Sequence, residues 1–151
     1  MINPIYILNG PNLNLIGVRE PHLYGRQSLA DIEKRCDAVA TRLGLTCSFR
    51  QTNHEGQLID WVHEARTRSS GVIINPAGYS FSSIALLDAL KALELPIIEV
   101  HITNIYRREI YYRESYISQA ADGVICGLGP SGYEIALHAM AERLGAQSPD
   151  K

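Results

Sequence analysis

Alternating short apolar runs and helical stripes predict a doubly wound α/β fold in three layers, on a five-stranded parallel sheet ordered 2-1-3-4-5. Three observations carry this expectation. Residues 5–8, 72–74, 97–100 and 124–126 form short apolar runs without in/out alternation, broken only by Glu99, as strands covered on both faces require. Residues 45–51 alternate instead, with Leu45, Cys47 and Phe49 set against Thr46, Ser48 and Arg50, the pattern of an edge strand. The gaps carry stripes of helical period, so right-handed crossovers join the parallel strands.

The elements follow in order. Ser28 and Asp31 have the spacing of a capping box, and Leu29, Ile32, Cys36, Val39, Ala40 and Leu43 then share one helix face until Gly44 stops it. Leu58, Trp61, Val62 and Ala65 form a second stripe. Ile84, Leu87 and Leu90 form a third, and Ile135, Leu137, Ala141 and Leu144 the last. One catalytic domain over residues 1–146 and a flexible tail over 147–151 are expected.

Composition narrows the function. Of 151 residues, 46% are hydrophobic and 20% charged, which excludes a disordered chain. A net charge of -2 argues against nucleic acid or an acidic membrane as partner, and no apolar stretch approaches the roughly 18 residues of a membrane span. The opening residues lack a basic region and a long apolar run, and Cys36, Cys47 and Cys126 follow no ligand-like spacing. Reduced thiols in a cytoplasmic protein are the expectation. His22, His54, His63 and His138 show no metal-ligand pattern, so neither metal nor cofactor is expected.

In a sheet of this order, ligands bind beyond the carboxyl ends of the strands, near the switch point between strands 1 and 3. Polar residues concentrate there. Strand 1 leads into Asn9-Gly10-Pro11-Asn12 and a long loop with Arg19, Glu20, His22, Tyr24 and Arg26, and strand 3 leads into Asn75 and the residues up to Ser83. Helix capping and turn chemistry account for the Asn, Gly, Pro and Ser residues. They account poorly for Glu99 and His101, which stand two apart on a strand and so point to one face. A carboxylate there can take one ring N–H, fix the tautomer and leave the other nitrogen for acid–base work. Tyr24 needs help to act as a base near neutral pH, and Arg19 in the same loop can favour its phenolate. The GLGPSG segment before the last helix reads equally as a phosphate cradle or a tight turn.

The strings LNGPNLNLIGVREPHLYG, QTNHEGQLIDW, IINPAGYSFSSIALLDAL, IEVHITN and GVICGLGPSGYEIAL closely resemble, in order, those of type II 3-dehydroquinate dehydratases. The resemblance covers nearly the whole chain. It implies a flavodoxin-like subunit, a homododecamer of four trimers, and a cofactor-free reversible dehydration of 3-dehydroquinate, a cyclic hydroxy-carboxylate, to 3-dehydroshikimate. By this resemblance Tyr24 is the base, held as phenolate by Arg19, and Asn12 positions a water at the enolate. His101, oriented by Glu99, is the acid. Asn75 and the backbone N–H groups of Ile102 and Thr103 take the substrate carboxylate. Asp88 reaches a neighbouring subunit's site, and Arg108 serves as a structural or inter-subunit charge.

Two positions depart from the family pattern. Phe81 stands where the family usually has histidine, and Tyr112 where it usually has arginine, at the two residues that bind the substrate's C4 and C5 hydroxyls. Arg107 or Arg113 is a candidate replacement for the arginine. An active dehydroquinase is the first expectation. A relative with weak or no dehydroquinase activity that acts on or binds a related cyclic hydroxy acid is the second, and a non-enzymatic binding oligomer the third.

Overall fold

In the computed structural model, the described residues are 2–24 and 26–146, with Tyr24 and Ala146 described by their backbone alone. The expected tail at 147–151 lies outside them. Among the described residues, five parallel strands form one sheet in the order β2-β1-β3-β4-β5. They are β1 (Ile5–Asn9), β2 (Cys47–Gln51), β3 (Gly71–Asn75), β4 (Ile97–His101) and β5 (Gly123–Cys126). The helices are α1 (Pro21–Tyr24), α2 (Leu29–Arg42), α3 (Glu55–Arg68), α4 (Ile84–Lys91) and α5 (Ser131–Ala146).

Strand β2 is an edge, as its alternation predicts, but Leu45 and Thr46 precede it. The three central strands are buried at every position. Strand β5 is the other edge. Val124 there is exposed although the run is apolar, because an edge strand has no neighbour to complete the layer beyond it.

Two apolar layers flank the sheet. Ile5, Ile7, Ile73 and Val100 pack with Ile32 and Cys36 of α2 and Tyr133, Leu137 and Met140 of α5. Tyr6, Leu8, Val72 and Ile74 face the other way, onto Leu58 and Val62 of α3 and Leu86 and Leu90 of α4. Alternate residues of one strand thus feed opposite layers. The capping box opens α2: the Ser28 hydroxyl accepts from the Asp31 N–H, and the Asp31 carboxylate accepts from the Ser28 N–H.

Two stripe residues are exposed. Ile84 opens α4 and is 60% exposed, on the same face as exposed Asp88 one turn later; Leu86, Leu87, Ala89 and Leu90 bury the helix instead. Ile135 is likewise exposed, because α5 turns Tyr133, Ala136, Leu137 and Met140 inward. Burial also leaves Cys36 and Cys47 poor nucleophiles, since it pushes both thiols up to about 12.

Gly10 follows β1, with its N–H donating to the Asn75 carbonyl at 2.8 Å. A Cβ built on Gly10 would lie 2.4 Å from the Pro76 carbonyl oxygen, a backbone atom that cannot swing aside. Gly10→Ala therefore separates the ends of β1 and β3. It is expected to cost about 3 kcal/mol in urea unfolding, the upper part of the usual overpacking range.

Candidate active site

The strand ends meet where the fold rule places a ligand. Asn9 and Asn75 are register partners at the ends of β1 and β3, both buried. The Tyr133 hydroxyl, entering from α5, donates to Asn9 Oδ1 at 2.7 Å and accepts from Asn75 Nδ2 at 2.9 Å. Asn75 Oδ1 in turn accepts from the Ala77 N–H at 3.2 Å. These bonds fix the Asn75 amide while leaving its second N–H to offer to a ligand. Full burial pushes the Tyr133 phenol well above its ordinary range, so it stays neutral and can donate. Tyr133→Phe leaves Asn9 Oδ1 and one Asn75 N–H without this partner and is expected to lower stability by about 1–3 kcal/mol, read as a lower melting temperature.

Glu99 and His101 stand at the end of β4, with Glu99 fully buried and His101 5% exposed. The Glu99 carboxylate accepts a short hydrogen bond from His101 Nε2 through Oε2, and one from the Ser118 hydroxyl through Oε1 at 2.7 Å. Burial pushes Glu99 up, but the His101 hydrogen bond and charge, with smaller help from Ser118 and Ser115, bring it below its ordinary value. The pair therefore holds a carboxylate against one ring nitrogen and leaves Nδ1 for other work.

His101 opens onto a cavity of about 130 Å³. An engineered cavity of roughly this size, about 150 Å³, holds one benzene, so the space suits a single six-membered ring. Its walls bring together Asn12, Arg19, Asn75, Phe81, His101, Ile102, Thr103 and Tyr112 from segments far apart in the chain. Asn12 adopts the left-handed conformation (φ 69°) that asparagine tolerates, and its N–H donates to Asn53 Oδ1 at 2.9 Å. Arg19 pairs with Glu20 at 3.4 Å on the partly exposed rim. Tyr24 closes α1 a few residues further on, and its side chain lies outside the described residues. Asp88 is exposed on α4 and does not line this cavity.

Phe81 and Tyr112 form an aromatic wall. The Phe81 ring stacks beside His101 (centroids 6.1 Å apart, planes at 30°) and meets Tyr112 edge-on at 5.5 Å. The Arg108 guanidinium lies 4.1 Å above the Tyr112 ring, and Arg108 itself lines the cavity, beyond the structural or inter-subunit charge expected of it. Neither candidate replacement arginine does so. Arg113 is exposed and its Nε donates to the Arg108 carbonyl at 2.8 Å, while Arg107 borders a neighbouring hollow.

The GLGPSG segment acts as a turn. Its Gly127 and Gly129 N–H groups donate to the His101 and Ile102 carbonyls, tethering the end of β4 rather than facing a phosphate. Among the described residues, no three His, Cys, Asp or Glu side chains gather as a metal site requires, and no helix is long and apolar enough to cross a membrane. Neither motif nor strand parity marks Tyr133, Arg108 and Ser118 as cavity or supporting residues.

Known proteins match along this whole frame. A family model described as dehydroquinase class II matches residues 3–141. A 3-dehydroquinate dehydratase of Caulobacter sp. (strain K31) is 53% identical over 97% of this chain and 99% of its own length. A protein named 3-dehydroquinate dehydratase 2 from Pseudomonas aeruginosa is 52% identical over the same shares. The crystal structure of type II dehydroquinase from Propionibacterium acnes superposes with a TM-score of 0.91 at 43% identity, covering 94% of this chain and 98% of that one. With its sheet order, its buried acid–base pair and these matches in agreement, the chain belongs to the class II dehydroquinase family.

Proposed function

We propose that this protein is a type II 3-dehydroquinate dehydratase, a hydro-lyase that converts 3-dehydroquinate to 3-dehydroshikimate through an enolate. The observation that carries the proposal is the buried Glu99–His101 pair opening onto a ring-sized cavity that also holds Arg19, Asn12 and Asn75. Elimination needs a base at one carbon, an acid at the leaving oxygen and stabilised charge between them.

Tyr24, as phenolate beside Arg19, removes the C2 proton. The C–H electron pair passes into the enolate, which a water held by Asn12 stabilises. The enolate then expels the C1 hydroxyl as His101 protonates it, giving the conjugated enone and one water. Glu99 balances the charge on the imidazolium before this step. The second N–H of Asn75, with the backbone N–H groups of Ile102 and Thr103, holds the carboxylate. Phe81 and Tyr112 occupy the diol-binding positions and offer ring faces and one phenol there, so the hydroxyls are gripped less firmly and KM rises.

The working form is a cytoplasmic homododecamer of four trimers, each chain one domain to residue 146. Three observations support this. The cysteines are unpaired. Asp88 lies exposed and outside its own chain's cavity, free to serve a neighbouring one. Ile84 on the same face, and Ile110 and Tyr111 beside the site, expose apolar surface that subunit contacts would cover. Its place is the shikimate route to aromatic amino acids, or quinate use.

The direct test adds 3-dehydroquinate to the purified protein in the presence of a chelator and follows the ultraviolet absorbance of the enone. Steady appearance of the enone, with sedimentation at twelve times the chain mass, supports the proposal. Absence of the enone at high protein concentration overturns it.

A further inference from the structure

The Glu99 carboxylate is held at both oxygens, by groups from different parts of the chain. Oε2 takes His101 Nε2, and Oε1 accepts from the Ser118 hydroxyl at 2.7 Å. Ser118 lies nineteen residues beyond Glu99, in the 3-10 helix Tyr116–Gln119. That helix is anchored by Ile117, which is fully buried in the layer containing α3 and α4. Ser118 is not among the cavity-lining residues, so it touches no ligand there.

A carboxylate bonded at one oxygen can swivel about its last side-chain bond, and its histidine partner tilts with it. Bonding the second oxygen fixes the carboxylate plane, and through it the plane and tautomer of the imidazole. We propose, resting on the reading of His101 as the acid of a dehydratase, that Ser118 is a positioning residue: through Glu99 it holds His101 in the tautomer and orientation that present Nδ1 to the substrate.

The surroundings of Glu99 single out this hydroxyl. Its register neighbours, Ile74 on β3 and Val124 on β5, are apolar. His101 is the titratable group beside it on β4, and the 3-10 helix and its lead-in present Ser118 and Ser115. The Ser115 hydroxyl oxygen is buried near the carboxylate and adds the smallest contribution to holding it ionised, but it lacks the well-formed hydrogen bond that Ser118 makes. Ser118 alone of the two therefore has the geometry to orient. Losing it also removes one of the groups that oppose the burial of Glu99, so the carboxylate neutralises at a higher pH.

The test compares the unaltered full chain with Ser118→Ala and Ser118→Thr, and with Ser118→Cys should the alanine variant not fold. Nitrogen-15 NMR of the His101 ring, assigned with a His101→Gln control, is recorded from about pH 5 to about pH 9, where imidazole titrates. Rates are measured in parallel. In the unaltered chain and the threonine variant, the neutral ring is expected as one tautomer, with the proton on Nε2. In the alanine or cysteine variant both tautomers appear, kcat falls about tenfold with KM within twofold, and the acid limb of kcat moves to higher pH. A single tautomer in Ser118→Ala, with kcat within twofold, overturns the inference. The NMR arm needs no substrate. A tautomer change in a chain that does not turn over 3-dehydroquinate upholds the Ser118–Glu99–His101 coupling and overturns the dehydratase reading instead.

Discussion

His101→Ala is expected to lower kcat about a thousandfold and to destabilise the fold in a way that depends on pH. The rate effect follows from losing a positioned general acid, which contributes roughly 10²–10⁴-fold. The stability effect follows from Glu99, whose carboxylate is fully buried and has His101 as its strongest opposing influence to burial. In the unaltered chain Glu99 sits below its ordinary value of 4.5. Its contribution to stability is therefore complete above that value and is lost as pH falls through the lower value of the folded state. Without His101 the direction reverses: burial prevails and raises the carboxyl above its unfolded value. The variant then carries an unpaired buried charge near neutral pH, at a cost of about 3 kcal/mol, the lower end for a broken buried pair because Ser118 remains. That cost shrinks toward acid pH as Glu99 protonates in both states. Urea unfolding near pH 5 and pH 7.5 checks this; equal destabilisation at both would show that Glu99 is not the group responsible.

Tyr24→Phe is expected to abolish measurable turnover, with kcat down by about 10³-fold or more and ligand binding within a fewfold of normal. The phenylalanine keeps the ring and removes only the oxygen proposed to take the proton. Equilibrium binding of a non-reacting cyclic hydroxy-carboxylate separates the two effects. Weakened binding with retained turnover would move Tyr24 from base to binding residue. Arg19→Ala is expected to act in the same direction but more weakly, with activity recovered as pH rises. Its guanidinium is on the partly exposed rim, where solvent screens part of its influence.

Much of this architecture is legible in the sequence because periodicity reports how many faces of an element are covered. Apolar runs without alternation mark the central strands, and the alternation of Cys47, Ser48, Phe49 and Arg50 marks the edge. Where a helix stripe admits two neighbouring rotations, pattern alone chooses poorly. Ile84 and Ile135 read as core residues, whereas tertiary packing turned Leu86 and Tyr133 inward. The inward turn of Tyr133 escapes local pattern because a buried tyrosine needs partners for its hydroxyl, and those partners, Asn9 and Asn75, are 124 and 58 residues away.

The site divides in the same way. Glu99 and His101 are legible from strand parity, since residues two apart must share a face. Ser118 and the placing of Phe81 between His101 and Tyr112 depend on where separate loops come to rest, which no local pattern records. The two departures from the family pattern thus become one feature of the molecule, a continuous aromatic wall with Arg108 lying over its outer ring.

That wall bears on the central claim, that the acid–base half of the site suffices for dehydration without the usual diol grip. The most direct measurement is kcat and KM on 3-dehydroquinate for the unaltered chain beside the Phe81→His/Tyr112→Arg double variant. The unaltered chain is expected to turn over at a kcat within about tenfold of the double variant, with the difference carried mainly by a higher KM, since lost hydroxyl contacts weaken binding more than proton transfer. No turnover by the unaltered chain, with activity appearing only in the double variant, would contradict it.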